Sequence, residues 1–505
     1  MTHAIRNLGD VIGAHSPGDH LAFIGLDAQL RESLYRFDQL DALANAVARG
    51  LRARGYAQGQ RIALLAANSV EFIAVVLGIM RAGLVAVPVN HRFPKALIQY
   101  VVADSGARLL FCDQAHASLA PADVPQVSLA RSDAGLDRFI DPGAFASFQP
   151  QADEPAMILY TSGSTGKPKG VVLSHAAHLW VVRTRMQATP LAQERALIAA
   201  PLYHMNALAL ALLTLASGAT AVLLPQFTAS GYIDAIERYR CTWLTAVPPM
   251  IAMMLREPAR LAHADLSSVR VVRMGSAPVS ASLLAQIHQL LPNARVINAY
   301  GTTEGGPVVF GPHPQGLANP PLSVGYAHPQ VRLRLRDESG NLSEEGVLEL
   351  NSLGLMSGYH NRADLRTPFT DDGFYITGDV FRRDSNGFYT FVGRRDDMFV
   401  SGGENIYPGE IEKLLERHPA VQQACAVPVA DDIKGFKPMA FVVLRKGAEA
   451  SEAQIKAFTL EHAAAYQHPR RVWFVDALPL ATTHKIDRQA LLLEAGQRLQ
   501  ATAAQ

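Results

Sequence analysis

The chain of 505 residues has only three cysteines, Cys112, Cys241 and Cys425, and they stand far apart. That spacing excludes a disulfide framework and a cysteine-based metal site. A reducing, cytoplasmic compartment is the expected setting. Neither sign of charge dominates: 46 Lys and Arg face 45 Asp and Glu, with no run of one sign. This argues against a protein that holds nucleic acid or an anionic membrane by bulk charge. The start, Met1-Thr-His-Ala-Ile-Arg6, has no apolar signal core. Internal repeats, low-complexity tracts and lipidation signals are absent as well. One uncharged stretch, Met205–Phe227, is long enough to cross a bilayer. Ser217-Gly218 interrupts it and Pro225 sits near its end, so it reads as a buried helix followed by a buried strand, not as an integral membrane span.

What is present is a globular composition, 49% hydrophobic and 18% charged, with enough length for two or more domains. Leu40, Leu43, Ala44, Val47 and Leu51 recur at helical spacing within Phe37–Arg54. A strand at Ile62–Leu65, a buried helix at Glu71–Arg81 and a strand at Leu84–Val89 follow. Strands at Ala219–Leu224, Trp243–Val247 and Val271–Met274 continue the rhythm. Largely apolar strands separated by helices predict parallel sheet covered on both faces. After about Gly311 the pattern changes. Gln330–Arg336 alternates, with Val331, Leu333 and Leu335 on one face and three arginines on the other. Phe374–Arg382 and Phe388–Val392 flank Asp384-Ser-Asn-Gly387, a hairpin signal. A small antiparallel β subdomain is expected there. Beyond the charged junction Arg394-Arg395-Asp396-Asp397, helices near Glu410–Arg417 and Glu452–Ala465 and strands at Ala424–Val429 and Met439–Leu444 suffice for a small α+β domain.

The richest segment is Tyr160-Thr-Ser-Gly-Ser-Thr-Gly-Lys-Pro-Lys-Gly170, between the apolar strands Met157–Tyr160 and Val171–Leu173. Its glycines (Gly163, Gly166 and Gly170) let backbone N–H groups approach a ligand. Thr161, Ser162, Ser164 and Thr165 add hydroxyls, and Lys167 and Lys169 add charge. Such a surface suits polyphosphate. It is not the common P-loop, because Thr161 stands where the first glycine belongs and Pro168 follows the lysine.

The loop resembles that of the AMP-forming adenylating enzymes, a superfamily that includes acyl-CoA and aryl-CoA synthetases. The resemblance continues at Pro201-Leu-Tyr-His204, Gly275-Ser-Ala277, Asn298-Ala-Tyr-Gly-Thr-Thr-Glu304, Tyr375-Ile-Thr-Gly-Asp379 and Gly393-Arg-Arg-Asp-Asp397. It resumes at Ser401-Gly-Gly-Glu-Asn-Ile-Tyr-Pro-Gly-Glu410 and Lys485-Ile-Asp-Arg488. The matches keep family order over nearly the whole chain. They imply an α/β protein with a large N-terminal domain of layered α/β subdomains and a small β-barrel-like subdomain, over 1–395. A small, mobile α+β C-terminal domain, over 396–505, is implied to rotate about Asp396.

The implied reaction joins a small-molecule carboxylic acid to CoA in two halves. The carboxylate attacks the α-phosphate of Mg-ATP and expels pyrophosphate; a thiol then attacks the acyl adenylate and releases AMP. ATP, Mg2+ and coenzyme A are the implied cofactors and cosubstrates. By resemblance Lys485 is the adenylation lysine, Glu304 the Mg2+ ligand, Thr303 an α-phosphate contact and His204 a border of the acyl pocket. The phosphate loop is Thr161, Ser162, Gly163, Ser164, Thr165, Gly166 and Lys167. Gly275, Ser276 and Ala277 form one wall of the adenine slot, and Asn298, Ala299, Tyr300, Gly301 and Thr302 the other. Asp379 holds the ribose with help from Arg394. Arg92 and Arg470 take the phosphates of CoA, and Gly402 and Gly403 line its pantetheine path. One departure stands out, His484 where the family usually has glycine.

The small apolar stretch Gly305–Val309 predicts room for an aromatic or medium-chain acid and, lacking a basic residue, disfavours a malonate-like one. A catalytically degenerate nucleotide-binding scaffold and acyl transfer to a carrier protein are the alternatives. A homodimer stays open.

Overall fold

In the computed structural model, which describes residues 5–12, 18–161, 167–362, 368–401, 404–431, 435–463, 465–481 and 485–503, the helix Val70–Arg81 is buried along its whole length apart from Glu71. Its apolar side chains surround the axis, as a helix enclosed on all sides requires. Ser69 starts it by accepting from the Phe72 N–H. The helix Phe37–Ala53 is amphipathic instead and buries Leu40, Leu43, Ala44, Val47 and Leu51, the set that the spacing predicts. The two helices meet at Gly78, where a Cβ would come within 2.7 Å of the Ala44 carbonyl oxygen and of Val47 Cβ. Arg81, buried at the end of its helix, has its donors met. Nη2 donates to Asp41 at 2.6 Å, Nη1 to Asn45 at 2.7 Å and Nε to the Gly9 carbonyl at 2.9 Å. A guanidinium out of water is tolerated on that condition.

These helices share one apolar core with two seven-stranded sheets. In the first sheet the order is Arg295–Asn298, Val271–Met274, Trp243–Ala246, Arg195–Ile198, Thr220–Leu223, Leu21–Leu26 and Glu32–Arg36. All neighbours are parallel except the last pair. In the second, Gln126–Ser128, Leu109–Cys112, Arg61–Leu65, Val85–Pro88 and Pro155–Thr161 are parallel, whereas Lys169–Ser174 and Gly358–Tyr359 close the edge antiparallel. Parallel sheet is therefore found at the centre, as the apolar strands predict, and antiparallel pairing at an edge of each. The uncharged stretch divides into the helix Met205–Ala216 and the strand Thr220–Leu223. Among the described residues no helix is long and apolar enough to cross a membrane.

A third sheet of six antiparallel strands runs Phe310–Gly311, Ser323–Ala327, Phe388–Arg394, Tyr375–Arg383, Glu345–Asn351 and Arg332–Arg336. Its hairpin turn is set by Asp384, whose Oδ1 accepts from the N–H groups of Asn386 and Phe388, both at 2.9 Å. On its last strand Leu335 is buried, while Arg334 and Arg336 reach Glu349 at 2.5 and 3.2 Å. The small C-terminal domain is built on a five-stranded sheet centred on Val421–Asp431 and Gly435–Leu444. The helices Pro408–Leu415, Glu452–His462 and Arg488–Ala503 pack against it. All three cysteines are free and buried.

Gly78→Val should lower the unfolding midpoint, because the added carbons have no space between the two helices; the expected cost is about 1–3 kcal/mol. Gly496→Ala, at a helix position with nothing within 4 Å of the added Cβ, should leave the midpoint unchanged or raise it. Thermal or urea melts of the pair check this.

Candidate active site

The carboxyl ends of the first sheet's strands converge on a cavity of about 980 Å³. Gly275, Ser276 and Ala277 follow the strand Val271–Met274, and Ala299 and Tyr300 follow its neighbour Arg295–Asn298. Side chains beyond the carboxyl ends of parallel strands face a shared crevice, which is where such sheets place ligands. His204 arrives the same way: it lies beyond Arg195–Ile198 and starts the helix Met205–Ala216. Ser276 has φ +67, a left-handed conformation uncommon for a residue with a Cβ.

The loop after Tyr300 is folded back on itself. Thr302 Oγ1 accepts from the Gly305 N–H at 2.8 Å, and the Thr302 carbonyl accepts from the Gly306 N–H at 2.9 Å. A Cβ on Gly301 would lie 2.8 Å from the Gly306 carbonyl oxygen, so the turn admits only glycine there. This turn puts Thr302, Thr303 and Glu304 on the cavity wall. Glu304 Oε1 accepts from the Tyr359 hydroxyl at 3.1 Å.

Across the cavity stands Asp379, 4% exposed on the strand Tyr375–Arg383. The Tyr300 hydroxyl donates to its Oδ2 at 2.5 Å and Arg394 Nη1 lies 3.0 Å from its Oδ1. Thr377 Oγ1 accepts from the Asp379 N–H at 3.0 Å and donates to the Leu348 carbonyl at 2.8 Å, which fixes the turn. Burial pushes the Asp379 carboxyl above its ordinary value; Arg394, Tyr300 and Lys485 pull it back. Burial, then the adjoining Asp379 carboxylate, drives the Tyr300 phenol well up, so it stays a hydrogen-bond donor.

Lys485 reaches the same cavity from the C-terminal domain. The Ala481 N–H donates to its carbonyl at 2.7 Å and the Asp487 N–H to the Pro479 carbonyl at 2.8 Å, a ladder that holds Lys485 at the domain surface. Burial lowers the pKa of the Lys485 ammonium; Asp379 and Glu304 oppose that shift, and Arg394 adds to it. Asp379, Arg394 and Glu304 therefore all act on Lys485. Arg488 serves the frame instead. Its Nη1 and Nη2 meet Glu412 Oε1 and Oε2 at 2.5 and 2.7 Å, tying its helix to Pro408–Leu415. Lys413 donates to the Phe391 carbonyl at 2.7 Å and Arg445 to Ser282 Oγ at 2.8 Å, so the C-terminal domain is pinned to both the third sheet and the helix Ala281–Leu290.

The cavity thus gathers Thr161, His204, Gly275, Ser276, Ala277, Asn298, Ala299, Tyr300, Gly301, Thr302, Thr303, Glu304, Asp379, Arg394 and Lys485. Lys167, Arg92 and Arg470 lie off its wall. Lys167 sits over the Tyr100 ring, 5.5 Å from its centroid, and Arg470 contacts His468 Nδ1 at 3.1 Å. Ser162, Gly163, Ser164, Thr165, Gly166, Gly402, Gly403 and His484 lie outside the described residues. The strands Pro155–Thr161 and Lys169–Ser174 are antiparallel partners, with Thr161 opposite Lys169, and both residues open onto the cavity. Of Gly305–Val309 only Pro307 reaches the cavity; Val308 and Val309 go to the core. Sequence reasoning passed over Arg185 and Arg273, which do line it. An arginine on an apolar strand at Arg273 was the signal available.

Residues 13–360 match the AMP-binding enzyme family, and residues 410–485 match the AMP-binding enzyme C-terminal domain. The chain belongs to the AMP-binding enzyme family. A feruloyl-CoA synthase from Amycolatopsis sp is 33% identical over 459 residues, 89% of this chain and 92% of the relative. Among solved structures, ATP-bound MatB from Rhodopseudomonas palustris has a TM-score of 0.86 at 29% identity, covering 97% of this chain and 99% of that one. The anthranilate CoA ligase AuaEII in complex with anthranoyl-AMP has a TM-score of 0.86 at 27% identity, covering 98% of each chain. This AMP-binding enzyme is an AMP-forming acyl-CoA synthetase, of the class of carboxylic acid–CoA ligases that take ATP and CoA as substrates.

One carboxyl on the wall links pH to stability. Burial, reinforced by Glu412, pushes Glu416 from 4.5 up to about 8, although the Ala424 N–H donates to it at 3.2 Å. Below pH 4.5 it is protonated in both folded and unfolded chains. Between about 4.5 and 8 the unfolded chain releases the proton and the folded one keeps it, so stability falls as pH rises, then levels off. Glu416→Gln should flatten the melting-temperature profile across that window.

Proposed function

We propose that this synthetase activates an aromatic or medium-chain carboxylic acid through an acyl adenylate, and that Lys485 is the group that brings the acid and ATP together. The observation that carries the reading is the meeting of Lys485 with Asp379 and Glu304 at one cavity. A carboxylate approaching a triphosphate is repelled, and a fixed ammonium between them offsets charge on both. Thr303 hydrogen-bonds the α-phosphate. Asp379, held by Tyr300 and Arg394, keeps further lone pairs for the ribose hydroxyls. Gly275, Ser276, Ala277 and Tyr300 border the adenine. The apolar lining from Val247, Met250, Leu210 and Pro307 suits a ring or a chain, as do the names of the feruloyl-CoA and anthranilate relatives.

Glu304 is the magnesium ligand in this reading. No cluster of three or more His, Cys, Asp or Glu residues suited to a metal occurs among the described residues. A single carboxylate fits magnesium, which keeps water and phosphate oxygens as its other ligands. When bound, the ion would neutralise charge on the departing pyrophosphate.

The division of labour falls at Asp396. Residues 1–395 bind ATP and acid, and 396–505 turn about Asp396 after adenylation. This removes Lys485 and admits CoA past Gly402 and Gly403, with Arg92 and Arg470 on its phosphates. Asp396 is exposed in the short turn Arg395–Asp397 and lies 3.6 Å from Arg394, so little packing resists such a rotation.

Oxygen-18 from the labelled acid should appear in AMP; its absence with every acid tried would refute the reading. Lys485→Ala should slow adenylation by about 100-fold or more and spare thioester formation from supplied acyl adenylate. Equal loss of both steps contradicts the assigned role. Because burial lowers the Lys485 pKa from 10.5 and the charged form is the active one, adenylation should decline with rising pH before an ordinary lysine would titrate. Lys485→Arg should remove that limb from the pH profile of pyrophosphate release.

A further inference from the structure

The class of acid can be narrowed further, on the footing of the acid–CoA ligase reading. Two arginines stand in the cavity wall, Arg273 on the strand Val271–Met274 and Arg185 on the helix His175–Ala188. Arg273 is the register partner of Thr245, which lines the same wall. Three other arginines of this chain meet carboxylates: Arg81 with Asp41, Arg334 with Glu349, Arg488 with Glu412. These two do not. Among the described residues Arg185 makes no side-chain hydrogen bond or ion pair. The hydrogen bond of Arg273 is a long one, 3.4 Å from Nη1 to Asn206 Oδ1.

The charge that acts on Arg273 is Arg185, of the same sign, and burial lowers the pKa of both groups. Asn206 deepens the imbalance, since its Nδ2 is buried with no acceptor. This corner has donors and positive charge in excess of its acceptors. Two desolvated cations side by side are costly unless an anion joins them. Neither Asp379 nor Glu304, Arg394 or Lys485 acts on either arginine, so this is a second cationic end, apart from the one assigned to the nucleotide.

We propose that Arg185 and Arg273 receive a second carboxylate, so that the acid is a dicarboxylic one. Its far carboxylate lies between the two guanidiniums while the near one is adenylated. A planar guanidinium fork matches a carboxylate in shape and charge. The expectation against a malonate-like acid rests on Gly305–Val309 alone, whereas the basic groups of this proposal come from other elements. The apolar lining between the two ends accommodates the ring or chain that joins the carboxylates.

The test is ATP–pyrophosphate exchange with α,ω-dicarboxylic acids of graded length and benzene dicarboxylic acids, each beside its monomethyl ester. The expected result is at least one diacid with kcat/KM about 100-fold above its monoester. Arg273→Met and Arg185→Met should each erase most of that ratio and leave the KM for ATP within about two-fold. ATP-induced thermal stabilisation checks that the variants fold; should one fail to fold, the wild-type ester comparison decides alone. Monoesters or plain monoacids used as well as every diacid would overturn the dicarboxylate inference and leave the ligase intact, as would an unchanged ratio in both folded variants. Exchange with no acid of either kind would overturn the ligase reading and this one with it.

Discussion

The structure turns on one buried carboxylate. Asp379 sits almost out of water, and its two oxygens are shared between a phenol and a guanidinium. Unpaired, it would take up a proton or force the strand open. Paired, it fixes Tyr300 from the first sheet and Arg394 at the entry to the C-terminal domain, and it tempers the desolvation of Lys485. Three parts of the chain that fold around separate sheets are thereby aligned by charge at a single point.

The rest of the scaffold explains how that point can be shared. Parallel strands end together, so the loops after Val271–Met274, Arg295–Asn298 and Arg195–Ile198 open on one side. The enclosed helix Val70–Arg81 makes the underlying layer rigid, and the two-helix contact at Gly78 leaves no slack. By contrast, the C-terminal domain is held by a handful of polar contacts, among them Lys413 to Phe391 and Arg445 to Ser282. Polar contacts of that kind are exchangeable with water. A packed wall facing a lysine on a lightly latched domain is the arrangement that the proposed domain rotation requires.

Arginine is used in two opposite ways in this chain. Arg81, Arg334 and Arg488 are matched by acceptors from their own fold and stiffen it. Arg185 and Arg273 are left with surplus donors at a cavity wall. Residue type and local pattern do not distinguish the two uses; the difference is whether folding brings a carboxylate alongside.

Much of the fold and of the site was legible along the chain. Period 3.6 in Phe37–Arg54 and the apolar strands at Ile62–Leu65 and Val271–Met274 follow from local backbone geometry, because periodicity records which face is dry. The motif residues from His204 to Lys485 were legible through their resemblance to a family, and folding gathers them at one cavity. The antiparallel edges, the strand Leu21–Leu26 with its partner, and the diversion of Val308 and Val309 into the core were not. They depend on which strand lies beside which, and strand order is a long-range property. The amino-acid order alone settled fold class and family. The pairing of Arg185 with Arg273 was settled by folding, since a helix and a strand that are far apart in sequence had to meet before either charge acquired a neighbour.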